Sequence, residues 1–298
     1  MPDSVIPIAA DPARVAVVVA ARASAQRAAD QGGIVVRALD SLENLRAAET
    51  LFSDVWQPAN GVPPMDHDLL HALVDTGSCY AAGAFDKGVL LGACVGFWSR
   101  PDDRRMHSHL AGVASAHRGR LVGYSLKLDQ RAHALENSVD TVTWTFDPLT
   151  ARNAHLNLHK LGARPVSYRV NFYGTLVDQL NGVDESDRFL VHWDLASPDV
   201  QSRCDQASPV DHTAGVATVA ALTIDADQAP HVVNPVGAEV VTVAIPPSIE
   251  DLRRTRPGLA QEWRAATRAV FMRLSEDGAQ IVDFDRANGE YVVKTPAR

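Results

Sequence analysis

Apolar positions along the chain switch between a helical and a strand period, and the switches outline a mixed α/β protein. Asp11 and Pro12 open an Ala-rich helix as N-cap and first helical residue, and Gly32 and Gly33 close it. A strand then runs from Ile34 to Ala38. The next helix, from about Leu42 to Val55, is amphipathic through Leu42, Leu45, Glu49 and Phe52. After the Pro58 to Pro64 loop, a short helix near Asp68 to Asp75 leads into Cys79–Phe85 and Val89–Trp98. These two runs, joined across Asp86, Lys87 and Gly88, read as a β-hairpin. His107 to Val113 is a further strand, and the helix after it carries Leu121, Tyr124, Leu128, Ala132 and Leu135 on one face. Thr141 to Phe146 is a β-branched and aromatic strand that Asp147 and Pro148 end. A helix from about Leu149 to Leu161 stops at Gly162, and strands follow near Ser167–Tyr173 and Phe189–Leu195.

Ala196 to about Gly215 is rich in Ser, Pro, Asp and Gln and lacks periodicity, which marks a linker. Beyond it, Val216–Ile224, His231–Asn234 and Val240–Ile245 read as short strands. Pro246 opens a helical region striped by Leu259, Trp263, Ala266, Val270 and Leu274, and a hairpin of Ile281–Phe284 and Tyr291–Lys294 closes the chain. The expected organisation is therefore an N-terminal helical extension (1–33), an α/β domain (34–196), a linker (197–215) and a C-terminal α/β unit (216–298). Two readings of that last unit stand: a degenerate copy of the first, or strands that extend the first sheet.

Composition narrows the classes. A chain of 298 residues has room for one large or two smaller cores. With 46% apolar and 21% charged residues it matches neither a disordered nor a fibrous protein. A net charge of −8 opposes the field of a phosphate backbone, so no nucleic-acid partner is expected. Cys79, Cys94 and Cys204 have no CxxC spacing and leave an odd thiol, which implies neither a disulfide framework nor a zinc site. The short apolar run Val15 to Ala21 follows Asp3 and Asp11 where a signal peptide would be positive, and no run approaches the ~20 residues of a membrane span. The expectation is a cytoplasmic protein with no membrane partner. A dehydrogenase would need GxGxxG after a strand and a phosphotransferase a Gly-Lys-Ser/Thr loop, and neither occurs.

The most informative stretch is Gly112 to Leu126, GVASAHRGRLVGYSL: an apolar strand, then Arg118 and Gly119, then Gly123, then the amphipathic helix. Amides at a helix start lack intrahelical partners and sit at the positive end of the dipole, so they suit a pyrophosphate, to which Arg118 and Arg120 add charge. This loop resembles the acetyl-coenzyme A loop of the GCN5-related N-acetyltransferase (GNAT) superfamily: Arg or Gln, two residues, Gly, one residue, then Gly or Ala. Arg118 and Gly123 match, and Leu121 stands in place of the middle glycine. Trp144 to Ala163, WTFDPLTARNAHLNLHKLGA, resembles the next strand and helix of that superfamily. Together with NFYG at Asn171, DRFLVHW at Asp187, PPSIEDL and QEWRAATR, the likeness covers most of Ile34 to Lys294 and points to a little-characterised acyltransferase subfamily.

The resemblance implies a mixed, mostly antiparallel sheet with one splayed parallel pair, here His107–Val113 and Thr141–Phe146, flanked by helices. It implies acetyl-CoA or another acyl-CoA as co-substrate, with the pantetheine arm bonded along the first of those strands like an added strand. The thioester is then expected near Gly112 and Val113, the phosphates at Arg118, Gly119, Arg120, Leu121, Val122 and Gly123, and further contacts from Asn153 and Asn157, one helical turn apart. The implied reaction transfers an acetyl or succinyl-type group to a small amine such as an amino acid. The alternative is a non-catalytic acyl-CoA sensor.

The usual tyrosine acid would fall at Leu158, which leaves Tyr168 or Tyr173 as substitutes, or coenzyme A departing as the thiolate unaided, a thiol's reference pKa being only ~8.5. For the base, Asp147 at a strand's carboxyl end is favoured over His107 and His109, which share a strand face. His155 and His159 have metal-type spacing, but Leu156 stands where a zinc protease has Glu and no third ligand is evident, so no metal is expected. Asp187 and Arg188 read as an internal pair, the alternative being that Arg188 holds a substrate carboxylate. Arg253, Arg254, Arg264 and Arg268 read as a solvated helix face, the alternative being the wall of an anion pocket. A homodimer is an open option.

Overall fold

The computed structural model describes residues 11–174, 184–206, 212–235 and 237–296. Strands β1 (Val35–Ala38), β2 (Cys79–Asp86), β3 (Val89–Trp98), β4 (Arg105–Val113), β5 (Thr141–Phe146), β6 (Arg164–Arg169) and β7 (Arg188–Asp194) form a sheet in the order β1-β2-β3-β4-β5-β7-β6. Its pairs are antiparallel except β4–β5. That parallel pairing covers only Arg105–His107 against Thr141–Thr143. From Ser108 and Trp144 onward the two strands share no ladder, and among the described residues the far half of β4 keeps an unpaired edge beside β5.

Helices α2 (Leu42–Trp56) and α3 (His67–Asp75), N-capped by Ser41 and Asp66, cover one face through Leu45, Phe52 and Leu70. The other face carries α4 (Val122–Glu136), and α1 (Pro12–Gly32) lies along α4 with Ala21, Ala25, Ala28 and Ala29 inward. Ion pairs Arg22–Asp129 at 2.7 Å and Arg14–Asp140 at 2.9 Å tie α1 to the α4 region. The start of α4 approaches β3 so closely that a Cβ on Gly92 would lie 2.8 Å from Val122 and 2.9 Å from the Gly112 carbonyl.

The tail builds a sheet of its own, which excludes the reading that its strands extend the first. Strands β8 (Thr218–Ile224), β9 (Pro230–Val232), β10 (Val240–Ala244), β11 (Gln280–Asp285) and β12 (Glu290–Lys294) take the order β11-β12-β10-β8-β9. Only β8 and β10 are parallel. Strand for strand, β8-β10-β12-β11 repeats the order and sense of β4-β5-β7-β6. Helices α7 (Ile249–Thr255) and α8 (Pro257–Glu276) precede its final hairpin. The segment joining the parallel strands is not repeated: among the described residues the chain passes from β8 to β10 through the edge strand β9, where the first unit passes from β4 to β5 through α4.

Three boundaries differ from the sequence expectation. The linker opens with helix α6 (Pro198–Cys204), capped by Ser197 and buried at Val200, Arg203 and Cys204. Its seven residues are too few to express a period. The Tyr124 hydroxyl donates to the Cys204 carbonyl at 3.2 Å, docking it on α4. The strand expected over Ser167–Tyr173 lies at Arg164–Arg169, and Tyr173 falls in the turn beyond it. The helix after β5 is a short α5 (Ala151–Ala154) that widens into a π-turn over His155–Lys160.

Both sheets feed one continuous core. At their seam Phe189 of β7 packs on Phe271 of α8 and Tyr291 of β12, with ring centroids 4.8 and 5.8 Å apart. The Tyr291 hydroxyl donates to the Pro148 carbonyl at 2.6 Å.

Candidate functional site

The unpaired edge of β4 and the start of α4 meet in one place, because α4 begins nine residues after β4 ends. Leu121, the N-cap, is left-handed at φ 61° and makes no side-chain cap bond, and no acidic residue occupies the first turn. The first amides of α4 are therefore uncapped donors at the positive end of the dipole. The family's middle glycine corresponds to this left-handed position. Leu121 fills it at a cost of about 1–2 kcal/mol in backbone strain. Gly119 is also left-handed, at φ 87°. Arg118 is exposed beside the amides. Arg120 turns away, pairing with Asp86 at 3.0 Å and reaching the Gly32 carbonyl at 3.4 Å. It secures the loop rather than extending the phosphate cradle.

The β3–β4 register slips between Val95 and Gly96, so that Val95 faces Leu110 and Gly96 faces Ser108. His109 is the extra residue of this bulge, and a bulge leaves backbone groups without a ladder partner. His107 bonds Thr143 of β5 through Nδ1 at 3.4 Å, and its ring lies 6.0 Å from that of His109, which packs on Phe97 at 5.1 Å. Partial burial lowers both imidazoles below their ordinary pKa, with His107 lowered further by its neighbour His109. Both are neutral at neutral pH and so able to accept a proton.

Two residues beyond Thr143 on the same face of β5, Thr145 bonds the Tyr173 hydroxyl at 3.2 Å. Tyr173 is 45% exposed, which leaves its phenol open to a ligand. His107, His109, Thr143, Thr145 and Tyr173 thus line the same side of the splay. Sequence reasoning missed the two threonines, whose only signal is their alternation with Val142, Trp144 and Phe146.

Asp147, expected as an open cleft base, has a different environment. It is buried and accepts from Arg264 at 2.8 and 2.9 Å and from Arg253 at 2.5 Å, with Arg188 4.0 Å away. Although burial pushes its pKa up, the Arg264, Arg253 and Arg188 charges outweigh that and hold it far below the carboxylate range. A carboxylate so held is a poor proton acceptor, and its place is structural. Asp184 joins the cluster, accepting from Arg264 at 2.9 Å and Arg253 at 3.2 Å. Arg268 pairs with Asp187 at 2.7 Å. The solvated face expected for the four tail arginines holds for Arg254 alone, which is 73% exposed. Arg253 and Arg264 are buried, because α7 and α8 dock on the end of β5. Arg188 contributes to this cluster, and its guanidinium also lies 5.6 Å from the Tyr173 ring.

The other expectations sort by burial. Tyr168 donates to Asp187 at 2.6 Å, and burial pushes its phenol far above its usual pKa, which removes it as an acid. Leu158 is 1% exposed in the core. Asn157 is buried within the π-turn, and Asn153 is half-buried in α5 before it. Gly112 is buried beneath α2, where a Cβ would lie 3.0 Å from the Trp56 ring, and Val113 packs against the core. His155 and His159 stack with centroids 4.9 Å apart, and His159 bonds Asp283 of β11 at 3.1 Å, joining the two sheets.

No family profile matches the sequence, and no curated protein matches it. Solved structures do resemble it. An N-acetyltransferase from Staphylococcus aureus Mu50 is 18% identical, covering 54% of this chain and 98% of its own at a TM-score of 0.46. The ribosomal-protein-S18-alanine N-acetyltransferase of Escherichia coli is 13% identical, covering 60% and 97% at 0.43. A nourseothricin acetyltransferase is 19% identical, covering 54% and 97% at 0.41. At these scores the likenesses carry no argument about chemistry. The first sheet, with its single splayed parallel pair and α4 crossing between those strands, has the GNAT arrangement on its own topology.

Proposed function

We propose that the chain is an acyl-CoA-dependent N-acyltransferase that moves an acetyl or succinyl-type group to a small amine such as an amino acid. The observation that carries this is the unpaired edge of β4 running directly to the uncapped start of α4. Phosphates on the amides of Val122 and Gly123, beside Gly119 and Arg118, leave the pantetheine arm to follow β4 back towards Ser108. An edge strand's free N–H and C=O groups suit such an addition. The thioester then reaches the vertex of the splay at His107–His109, further along than Gly112 and Val113.

At the vertex the chemistry has its parts. His107 or His109, neutral at pH 7, takes the proton of the attacking amine. The amine nitrogen forms its bond to the thioester carbonyl, and backbone groups freed at the His109 bulge offer a donor to the oxyanion. As the tetrahedral intermediate collapses the carbon–sulfur bond breaks, and Tyr173 gives the departing thiolate its proton. A sensor that binds acyl-CoA without turnover is the competing outcome. Calorimetric titration with acetyl- and succinyl-CoA, followed by thiol-release assay against an amine panel, separates them. Amine-dependent thiol release supports the transferase, binding alone supports the sensor, and no binding defeats both.

A further inference from the structure

A polar group that folding alone accounts for poorly is Lys127, on the face of α4 that packs against the sheet. It is 4% exposed, and among the described residues its ammonium has neutral partners only: Ser108 Oγ at 2.8 Å, Gln130 Oε1 at 3.0 Å and the Trp144 ring at 3.8 Å from the centroid. Gln130 in turn donates to Cys94 Sγ at 3.2 Å. Charged side chains are almost never fully buried without a counter-charge, because desolvation far exceeds what neutral partners return. Burial lowers this lysine's pKa to about 8, which records the missing negative partner and still leaves it mostly protonated at neutral pH.

Its position gives that charge a use. Ser108 and Trp144 are the first residues of β4 and β5 beyond their short parallel pairing. The ammonium therefore sits at the closed end of the wedge, on the α4 side, opposite the histidine face. An acyl-CoA seated along β4 brings its acyl end to this vertex. We infer that Lys127 is a specificity-determining residue that selects acyl groups ending in a carboxylate, such as the monothioester of a four-carbon dicarboxylic acid. This rests on the acyltransferase reading above. A terminal carboxylate would supply the counter-charge that the protein withholds, taking over donor capacity now spent on Gln130 and the indole ring, in a site where a charge-assisted bond is strong.

The test compares succinyl-CoA with butyryl-CoA, a neutral thioester of the same chain length, by titration calorimetry. The wild-type protein is expected to bind succinyl-CoA tighter by roughly tenfold to a hundredfold, the range of a hydrogen bond to a charged group. In Lys127→Met, which keeps the length and loses the charge, that ratio is expected to fall to about one. The wild-type comparison stands even where the variant fails to fold. If both thioesters bind and butyryl-CoA equals or exceeds succinyl-CoA, or if Lys127→Met keeps the preference, the inference is overturned and the acyltransferase reading survives. If neither thioester nor coenzyme A binds, both fall together.

Discussion

Asp147→Asn removes one negative charge from the most heavily charged buried cluster described in the protein. The carboxylate accepts three arginine bonds of 2.5 to 2.9 Å, and the side chains of Asp147, Arg253 and Arg264 are 8%, 7% and 3% exposed. In the variant, Arg253 and Arg264 keep Asp184 as a buried carboxylate partner, at 3.2 and 2.9 Å. Breaking a buried pair while leaving its partner charged costs about 3–5 kcal/mol, a large share of the ~5–15 kcal/mol that holds a domain folded. For a chain of 298 residues that is roughly 5–8 °C in Tm. Urea and thermal melts of Asp147→Asn, Arg264→Met and the double variant form the assay. The double variant is expected to lose less than the sum of the singles, since each single strands a charge that the double removes. The pH dependence has a definite sign. The folded pKa of Asp147 is depressed, so its contribution is fully present above the unfolded value near ~3.9 and fades as pH falls through the folded one. The gap between wild type and Asp147→Asn should therefore narrow below about pH 4. Additive singles, or a loss under about 1 kcal/mol, would refute the structural role. A variant of full stability that has lost turnover would restore Asp147 as the base.

Four further outcomes are expected of these residues. Gly123→Ala should fold with equal or slightly greater stability, by up to ~1 kcal/mol in melts, because its Cβ would meet Val113 at an ordinary 3.6 Å within α4. Gly123→Glu should abolish coenzyme binding in calorimetry by bulk and like charge, and unchanged affinity would displace the phosphate site. Tyr173→Phe should lower kcat roughly a hundredfold at unchanged Tm, since the phenol is half exposed and bonds only Thr145 among the described residues; an unaffected kcat removes it as the acid. Lys127 has a folded pKa depressed to about 8, so the unfolded chain holds more protons between there and its ordinary value. Wild type should gain roughly 3 kcal/mol relative to Lys127→Met as pH rises through that window, and a flat difference in pH-resolved urea melts would contradict the burial.

The amino-acid sequence by itself determined most of the elements and their order, because cap residues and apolar periods are local, while the seven-residue α6 escaped it. Asp11 and Pro12 start α1 where the N-cap rule puts them, and Thr141–Phe146 is a strand to the residue. The loop into α4 was equally legible as backbone, since Arg118 and Gly119 precede the helix by a few residues and Gly123 lies in its first turn. What only the tertiary structure decided is which charges meet. Asp147 and Arg264 are 117 residues apart, and nothing in either neighbourhood marks them as partners. A period reports that a face is covered and not by what, so arginines on α7 and α8 read as solvated until those helices were seen against the end of β5. Lys127 left a faint trace, a lysine three residues after Tyr124 on an otherwise apolar stripe. Its meaning came only from the strands above it, where the parallel ladder stops at His107 and Thr143. That stop is a relation between distant segments, and it sets the buried face of α4 beneath the point where β4 and β5 part.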